Sequence, residues 1–212
     1  MIVYLIIGNH VDLAIWPFEK DALLFGVDRG AYQAVKSGLS LDLAYGDFDS
    51  VSKEELTLIR QKSKKVIQLN PIKDITDTYG AYLEAKEADR IVILGGIEGQ
   101  RIEHFLAILS ILKQDPRVII ADDSSMIENL PSREEPYVFT RESGKFFSFF
   151  GNDEAVVTLE GFAYPLAHHR LQENDSLGIS NQLAAGEDKG RVFVEKGSLL
   201  SIVSKDDRSP LL

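Results

Sequence analysis

The chain contains no cysteine, one tryptophan and two methionines. Without thiols there can be no disulfide, zinc–thiolate site, iron–sulfur centre or thiol nucleophile. Positive charge is scarce, with 23 Lys and Arg against 33 Asp and Glu and a formal charge of −10. That deficit argues against nucleic acid or an anionic membrane surface as a partner, because such binding rests on released phosphate counterions. A small phosphate ligand stays open, provided a cation sits between it and the carboxylates. No apolar run approaches the ~18 residues of a membrane span. The apolar opening Met1–Ile7 has no basic stretch before it and no small-residue cleavage site after it, so it reads as a buried strand rather than a signal peptide. A cytoplasmic protein is expected. The 212 residues, 44% apolar and 26% charged, suffice for one large or two small globular domains.

The pattern changes along the chain. Up to about residue 125, short runs rich in Val, Ile and Leu (2–7, 23–27, 43–45, 65–69, 90–94 and 117–121) alternate with amphipathic stretches. Consecutive rather than alternate apolar positions suit a parallel sheet covered on both faces. Ser52-Lys-Glu-Glu55 forms a capping box for a helix to about Lys62, and Thr76 caps a helix to about Ala88. The stretch Ile102–Lys113 is apolar nearly all round and is expected to pack deeply. The expected fold class is therefore α/β, an open and mostly parallel doubly wound sheet with helices on both faces. After Ser125 come short strand-like pieces (138–140, 145–150, 155–160, 191–195 and 199–203) separated by Gly151-Asn152, Gly161 and Gly197. The proline-bracketed stretch Leu130–Pro136 reads as a linker, which gives domains of 1–130 and 131–212, the second a small antiparallel β-sandwich.

Carboxylates follow three successive strands: Asp28 after the second, Asp47 and Asp49 after the third, Asp74 and Asp77 after the fourth. Parallel strands bring all five to the carboxyl edge of one sheet, where open α/β sheets bind ligands. Singly, each has an ordinary reading as a loop or helix-cap residue. Together they repel, by about 4 kcal/mol per pair at 4 Å and an effective dielectric of 20, unless water or a cation intervenes. Oxygen ligands without His or Cys suit Mg²⁺ that shares its shell with phosphates. After the fifth strand, Gly95, Gly96 and Gly99 permit close backbone approach, and Arg101 stands near the start of the next helix. That arrangement offers amide and guanidinium donors to phosphate oxygens. It matches neither the Walker A loop nor the dinucleotide fingerprint. Asp-x-Asp after an apolar strand also suits an aspartyl-phosphate phosphatase using Asp47, although two strands precede it here. A non-catalytic nucleotide sensor is the alternative outside enzymology. His168-His169 lacks a third ligand nearby and reads as polar strand or turn, Trp16 reads as packing, Lys62–Lys65 as a solvated helix end, and the last residues as a tail.

In this order and spacing, Val27-Asp-Arg-Gly-Ala31, Gly46-Asp-Phe-Asp-Ser50, Lys73-Asp-Ile-Thr-Asp77 and Gly95-Gly-Ile-Glu-Gly-Gln-Arg-Ile-Glu-His104 resemble the thiamine pyrophosphokinase family. Gly161-Phe-Ala-Tyr-Pro-Leu166 and Leu177-Gly-Ile-Ser-Asn181 resemble its C-terminal motifs. The resemblance implies a homodimer that transfers a pyrophosphoryl group from ATP to the hydroxyl of thiamine, leaving AMP; a sensor that binds nucleotide or thiamine without turnover is the alternative. It places Asp47, Asp49 and Asp77 around Mg²⁺, with Asp77 also toward thiamine, and puts Asp28, Gly30, Asp74, Thr76, Gly95, Gly96, Arg101, Glu103 and His104 on the ATP side. Asp47, Asp49, Asp77 and Arg101 carry the catalysis in this reading, and Ser180 and Asn181 contact thiamine, across the dimer interface. The sequence departs from the family pattern at Glu103, where Asp is usual, at Arg29, where a small residue is usual, and in lacking a proline near Leu39–Asp42.

Overall fold

The structure, a computed structural model, describes residues 1–8, 11–72, 74–98, 101–172 and 175–206. The chain divides into two compact units, one of residues 1–112 and 117–122, the other of 113–116 and 123 onward.

The first unit is a six-stranded parallel sheet of β1 (Ile2–Ile6), β2 (Leu23–Val27), β3 (Leu41–Gly46), β4 (Ser63–Gln68), β5 (Arg90–Leu94) and β6 (Val118–Ala121). Their spatial order is β6-β5-β1-β2-β3-β4, every neighbouring pair parallel. The chain winds outward from β1 to β4, then restarts on the other side of β1 at β5. The reversal between β1 and β5 is the switch point at which doubly wound sheets open a crevice. Among the described residues, four helices connect the strands: α1 (Arg29–Lys36), α2 (Lys53–Lys62), α3 (Asp77–Glu84) and α4 (Ile102–Gln114). Gly26 pairs in register with Ala44, so it faces away from Tyr45. A side chain at Gly26 would meet Ala31 of α1, whereas Tyr45 meets Gly80 of α3, which sets these two helices on opposite faces.

Ser52 caps α2 as the sequence predicts, its hydroxyl accepting from Glu55 N–H while Glu55 accepts from Ser52 N–H. Three expectations change. The helix α3 stops at Glu84 rather than Ala88. Only Lys62 of the Lys62–Lys65 run is a helix end, because β4 starts at Ser63; Lys64 pairs with Asp42 of β3 and Lys65 with Glu84 of α3. The helix α4 is packed on one face only: Ile108, Ile111 and Leu112 are buried, but Ile102 and Leu106 are 65% and 55% exposed. No helix among the described residues is long and apolar enough to cross a membrane.

The second unit contains β7 (Ser125–Pro131), β8 (Tyr137–Thr140), β9 (Phe146–Glu160), β10 (Leu166–Leu171) and β11 (Lys189–Ser204), all paired antiparallel. The long β11 organises it, pairing its first residues with β8, its last seven with β7, and both parts with β9. One strand that changes partner along its length is how a small β-sandwich turns its corners. The two pieces expected on either side of Gly151-Asn152 are one strand, as are those around Gly197. Register shifts near Lys196 absorb the extra residues as bulges instead of turns. The chain divides near residue 122 rather than 130, since β7 pairs with β11, and only residues 132–136 serve as a connector. Phe139, Phe147, Phe149 and Phe162 meet edge-to-face at 5.5–6.4 Å in its core. His168 and His169 lie on β10, and Trp16, in the first unit, is buried. Of the expected tail, residues 207–212 lie outside the described residues.

Candidate active site

Asp28 ends β2 in an unusual backbone conformation, φ 46°. It occupies the N-cap position of α1, yet its side chain makes no capping bond. It points to the next loop instead, where Oδ1 accepts from Phe48 N–H at 3.2 Å, while its own N–H donates to Tyr45 O at 3.0 Å. Residue 46 has to be glycine beside it: φ is 146°, and a Cβ there would overlap Asp28 Oδ1. Phe48, also left-handed at φ 59°, is buried and roots the loop in the core. The flanking carboxylates are thereby held outside, Asp47 half-buried and Asp49 exposed. Asp47 Oδ1 accepts from Asp49 N–H at 3.1 Å, a local turn that fixes the direction of the carboxylate.

Asp77 is the first residue of α3, behind Thr76, whose hydroxyl accepts from Tyr79 N–H at 3.2 Å. The helix is registered against β3 because Gly80 sits on the Tyr45 ring, where a Cβ would overlap the phenol oxygen. Strand ends and helix start thus converge. One carboxylate oxygen from each of Asp28, Asp47 and Asp77, all half-buried, lies within 4.8 Å of the other two. Such a triangle can close on a single cation at the about 2.1 Å of Mg²⁺ or the 2.3–2.6 Å of Ca²⁺ with small side-chain rotations. An all-oxygen donor set of three negative charges, partly shielded from water, fits a hard divalent cation. The sequence expectation named Asp49 in this role; the structure puts Asp28 in the triangle, and Asp49 and Asp74 are exposed outside it. The signal for Asp28 was its place directly after a strand.

At the switch point, Gly8 after β1 faces Gly95 and Gly96 after β5. A Cβ on Gly95 would come within 3.3 Å of Gly8 N, and one on Gly96 within 2.7 Å of Ile108. Both glycines have positive φ, and Gly95 N–H donates to Ala121 O at 2.8 Å. Gly30 stands against the Ile6 carbonyl at the other side of β1. Gly99 lies outside the described residues. Arg101 is exposed and donates from Nε to Glu103 Oε1 at 2.7 Å. That hydrogen bond, with one from Glu103's own backbone, holds the Glu103 carboxyl below the ordinary range. The exposed His104 donates its N–H to Arg101 O.

In the second unit, Ser180 is exposed and left-handed (φ 54°), its N–H donating to Ser148 Oγ at 2.9 Å. Asn181, its neighbour, is 1% exposed. Its Oδ1 accepts from Tyr164 N–H and Gln182 N–H, each at 3.0 Å, and its Nδ2 donates to Tyr164 O at 2.8 Å. Its backbone exchanges both hydrogen bonds with Phe147. The amide is spent on holding the turn and the backbone of Tyr164, whose own ring is 66% exposed.

Residues 17–120 match the family model described as thiamin pyrophosphokinase, catalytic domain, and residues 137–199 match the vitamin B1 binding domain of the same enzyme. The thiamine pyrophosphokinase of Bacillus subtilis (strain 168) is 31% identical over 196 residues, which is 89% of this chain and 90% of the relative. A crystal structure of thiamine pyrophosphokinase from Bacillus subtilis superposes with a TM-score of 0.85 at 28% identity, covering 98% of this chain and all of that one. A thiamin pyrophosphokinase family protein from Enterococcus faecalis gives 0.79 at 27%, over 97% and 99% of the two chains. Two matched domains in the order of the family, a relative of that identity over almost its whole length and the shared fold lead to one statement: the chain belongs to the thiamine pyrophosphokinase family.

Proposed function

We propose that the protein transfers the pyrophosphoryl group of ATP to the hydroxyl of thiamine, giving thiamine diphosphate and AMP. The observation that carries the reading is the triangle of Asp28, Asp47 and Asp77 at the carboxyl edge of the sheet. In the reaction the hydroxyl oxygen of thiamine bonds to the β-phosphorus and the bond from that phosphorus to the α,β-bridging oxygen breaks. AMP leaves with that oxygen, and the hydroxyl proton passes to a carboxylate. The protein's work is alignment and charge, with little covalent chemistry of its own. Mg²⁺ held by Asp28, Asp47 and Asp77 would neutralise the polyphosphate as charge moves onto AMP.

Asp77, at the start of α3, orients the hydroxyl and is first choice as proton acceptor. Asp49 and Asp74 stand outside the triangle, toward solvated cation or nucleotide. Gly30, Thr76, Gly95, Gly96, Arg101, Glu103 and His104 belong to the ATP side, where the Arg101 fork meets phosphate oxygens and the glycines allow close approach, the Gly95 amide being held by Ala121 O. Glu103 then acts as the partner that holds Arg101. Ser180 contacts thiamine through its hydroxyl, and Asn181 acts by fixing the turn that presents Ser180 and Tyr164. A homodimer in the cytoplasm completes the reading, and analytical ultracentrifugation checks the dimer.

The phosphatase reading is not favoured, because Asp47 follows the third strand of its sheet and both family domains are present. The test is ³¹P NMR of the protein with ATP, Mg²⁺ and thiamine. AMP and thiamine diphosphate must appear together and only when thiamine is present. Release of ADP or free phosphate, or an unchanged spectrum, refutes the assignment.

A further inference from the structure

We infer that Arg29 and Glu55 form a strut that positions the carboxylate loop 47–50, an inference that rests on reading that loop as part of the cation and nucleotide site. Arg29 opens α1 directly after Asp28, and its Nη1 donates to Glu55 Oε2 at 2.7 Å and reaches Ser50 O at 3.5 Å. The same Glu55 oxygen accepts from Ser52 N–H at 2.8 Å. The Arg29 guanidinium also lies over the Tyr32 ring, 4.8 Å from its centroid, which limits its freedom. One carboxylate oxygen therefore joins the start of α1, the start of α2 and the exit of the loop between them.

The loop is held at both ends by consecutive residues. Asp28 fixes its entry through Tyr45 O and Phe48 N–H, and Arg29 fixes its exit through Glu55 and Ser50. Both side chains of the ion pair are partly buried, so it is less screened than a surface pair. A guanidinium beside a nucleotide site could instead serve as a phosphate ligand. Here Nη1 is engaged by Glu55 and Ser50 and the guanidinium lies over Tyr32, so the cation stiffens the loop rather than reaching from it.

The two roles separate experimentally through Glu55. Glu55→Gln keeps an oxygen to accept from Ser52 N–H, so α2 stays capped, but it removes the charge that Arg29 grips. Arg29→Ala, Glu55→Gln and the double variant are compared with the unaltered protein. Amide hydrogen exchange of residues 47–52 is followed without metal or nucleotide, and binding of Mg²⁺ with a non-hydrolysable ATP analogue by calorimetry. A strut predicts faster exchange in both single variants, affinity weakened by about two- to fivefold in each, and a double variant no worse than either single one. Unchanged exchange in Arg29→Ala overturns the inference. So does an Arg29→Ala that binds weakly beside a Glu55→Gln that binds as well as or better than the unaltered protein, the result expected of a phosphate ligand. If the unaltered protein binds no metal–nucleotide at all, the function reading fails, and the exchange data still decide the strut.

Discussion

Neutralising Asp77 should stabilise the metal-free protein while removing its response to metal. The carboxylates of Asp28, Asp47 and Asp77 lie within 4.8 Å of one another and are half-buried. At that distance two unit charges repel by about 0.9 kcal/mol at the dielectric of water and about 3.5 kcal/mol at an effective value of 20. Asp77→Asn relieves two such pairs and keeps the shape of the side chain. Against this, the variant gives up a negative charge in the first turn of α3, worth about 0.3–1 kcal/mol with the helix dipole. For half-exposed groups the balance falls near the lower bound, a net gain of about 1–3 kcal/mol. At roughly 2–4 °C per kcal/mol for a protein of this size, the melting temperature in EDTA and low salt should rise by about 2–12 °C. The rise should shrink in high salt, where exposed charges are screened. Mg²⁺ should raise the melting temperature of the unaltered protein and leave Asp77→Asn nearly unmoved, with turnover falling by at least tenfold. A variant that melts lower than the unaltered protein in EDTA, or that keeps the full Mg²⁺ shift, refutes the picture of three carboxylates gathered around one cation position.

Three further outcomes follow from the same geometry. Gly46→Ala puts a Cβ onto Asp28 Oδ1 at a φ that alanine avoids, and should cost about 2–3 kcal/mol in urea unfolding together with most of the activity; a loss under 0.5 kcal/mol contradicts the close approach. Asn181→Leu strips partners from the backbone of Tyr164 and from Gln182 N–H, an expected loss of about 2–4 kcal/mol by urea denaturation; a loss under about 1 kcal/mol contradicts the clamp. The Glu55 carboxyl is held below its ordinary range, chiefly by Ser52 N–H and then by Arg29. Because its folded value is the lower one, the stabilisation is present above the unfolded value of about 4.3 and is lost as pH falls through the folded value; an NMR titration of Glu55 that shows an ordinary or raised pKa contradicts this.

The α/β half was legible because parallel strands buried on both faces leave continuous apolar runs; the edge strand β4, with no buried residue, showed only through Val66 and Ile67. The helix α1 was not, since its buried face is Gly30, Ala31, Ala34 and Val35, small residues that carry little hydropathy signal yet fit tightly against Gly26. In the second unit, bulges in β9 and β11 look like turns in sequence because both features use glycine and polar residues. The five carboxylates were readable as one edge, but not which three would meet. That choice depends on backbone facts no spacing rule contains: Asp28 adopts a left-handed φ and turns away from its own helix, and Phe48 buries itself between Asp47 and Asp49. Gly178-Ile-Ser-Asn181 read unaided as a turn, and a turn it is; the amide clamp on Tyr164 reaches 17 residues back and left no local trace.

The three carboxylates are not equally fixed, and the difference bears on how the site can work. Asp28 and Asp47 sit at the ends of adjacent strands, each with a side-chain oxygen tied to a loop amide, so their positions follow the sheet. Asp77 rides on α3, an eight-residue helix whose buried face is only Gly80 and Ala81 and whose register rests on the fit of Gly80 to the Tyr45 ring. Few buried apolar groups hold that helix, so it is the element of the triangle with least resistance to displacement. Ile75, Tyr79 and Leu83 remain exposed beside it. A cation drawing the oxygens together would therefore be met mainly by movement of α3, with the two strand-end aspartates as a fixed reference. In the proposed reaction Asp77, which would orient the substrate hydroxyl, would then also be the residue whose position answers to metal binding, coupling filling of the cation site to alignment of the acceptor.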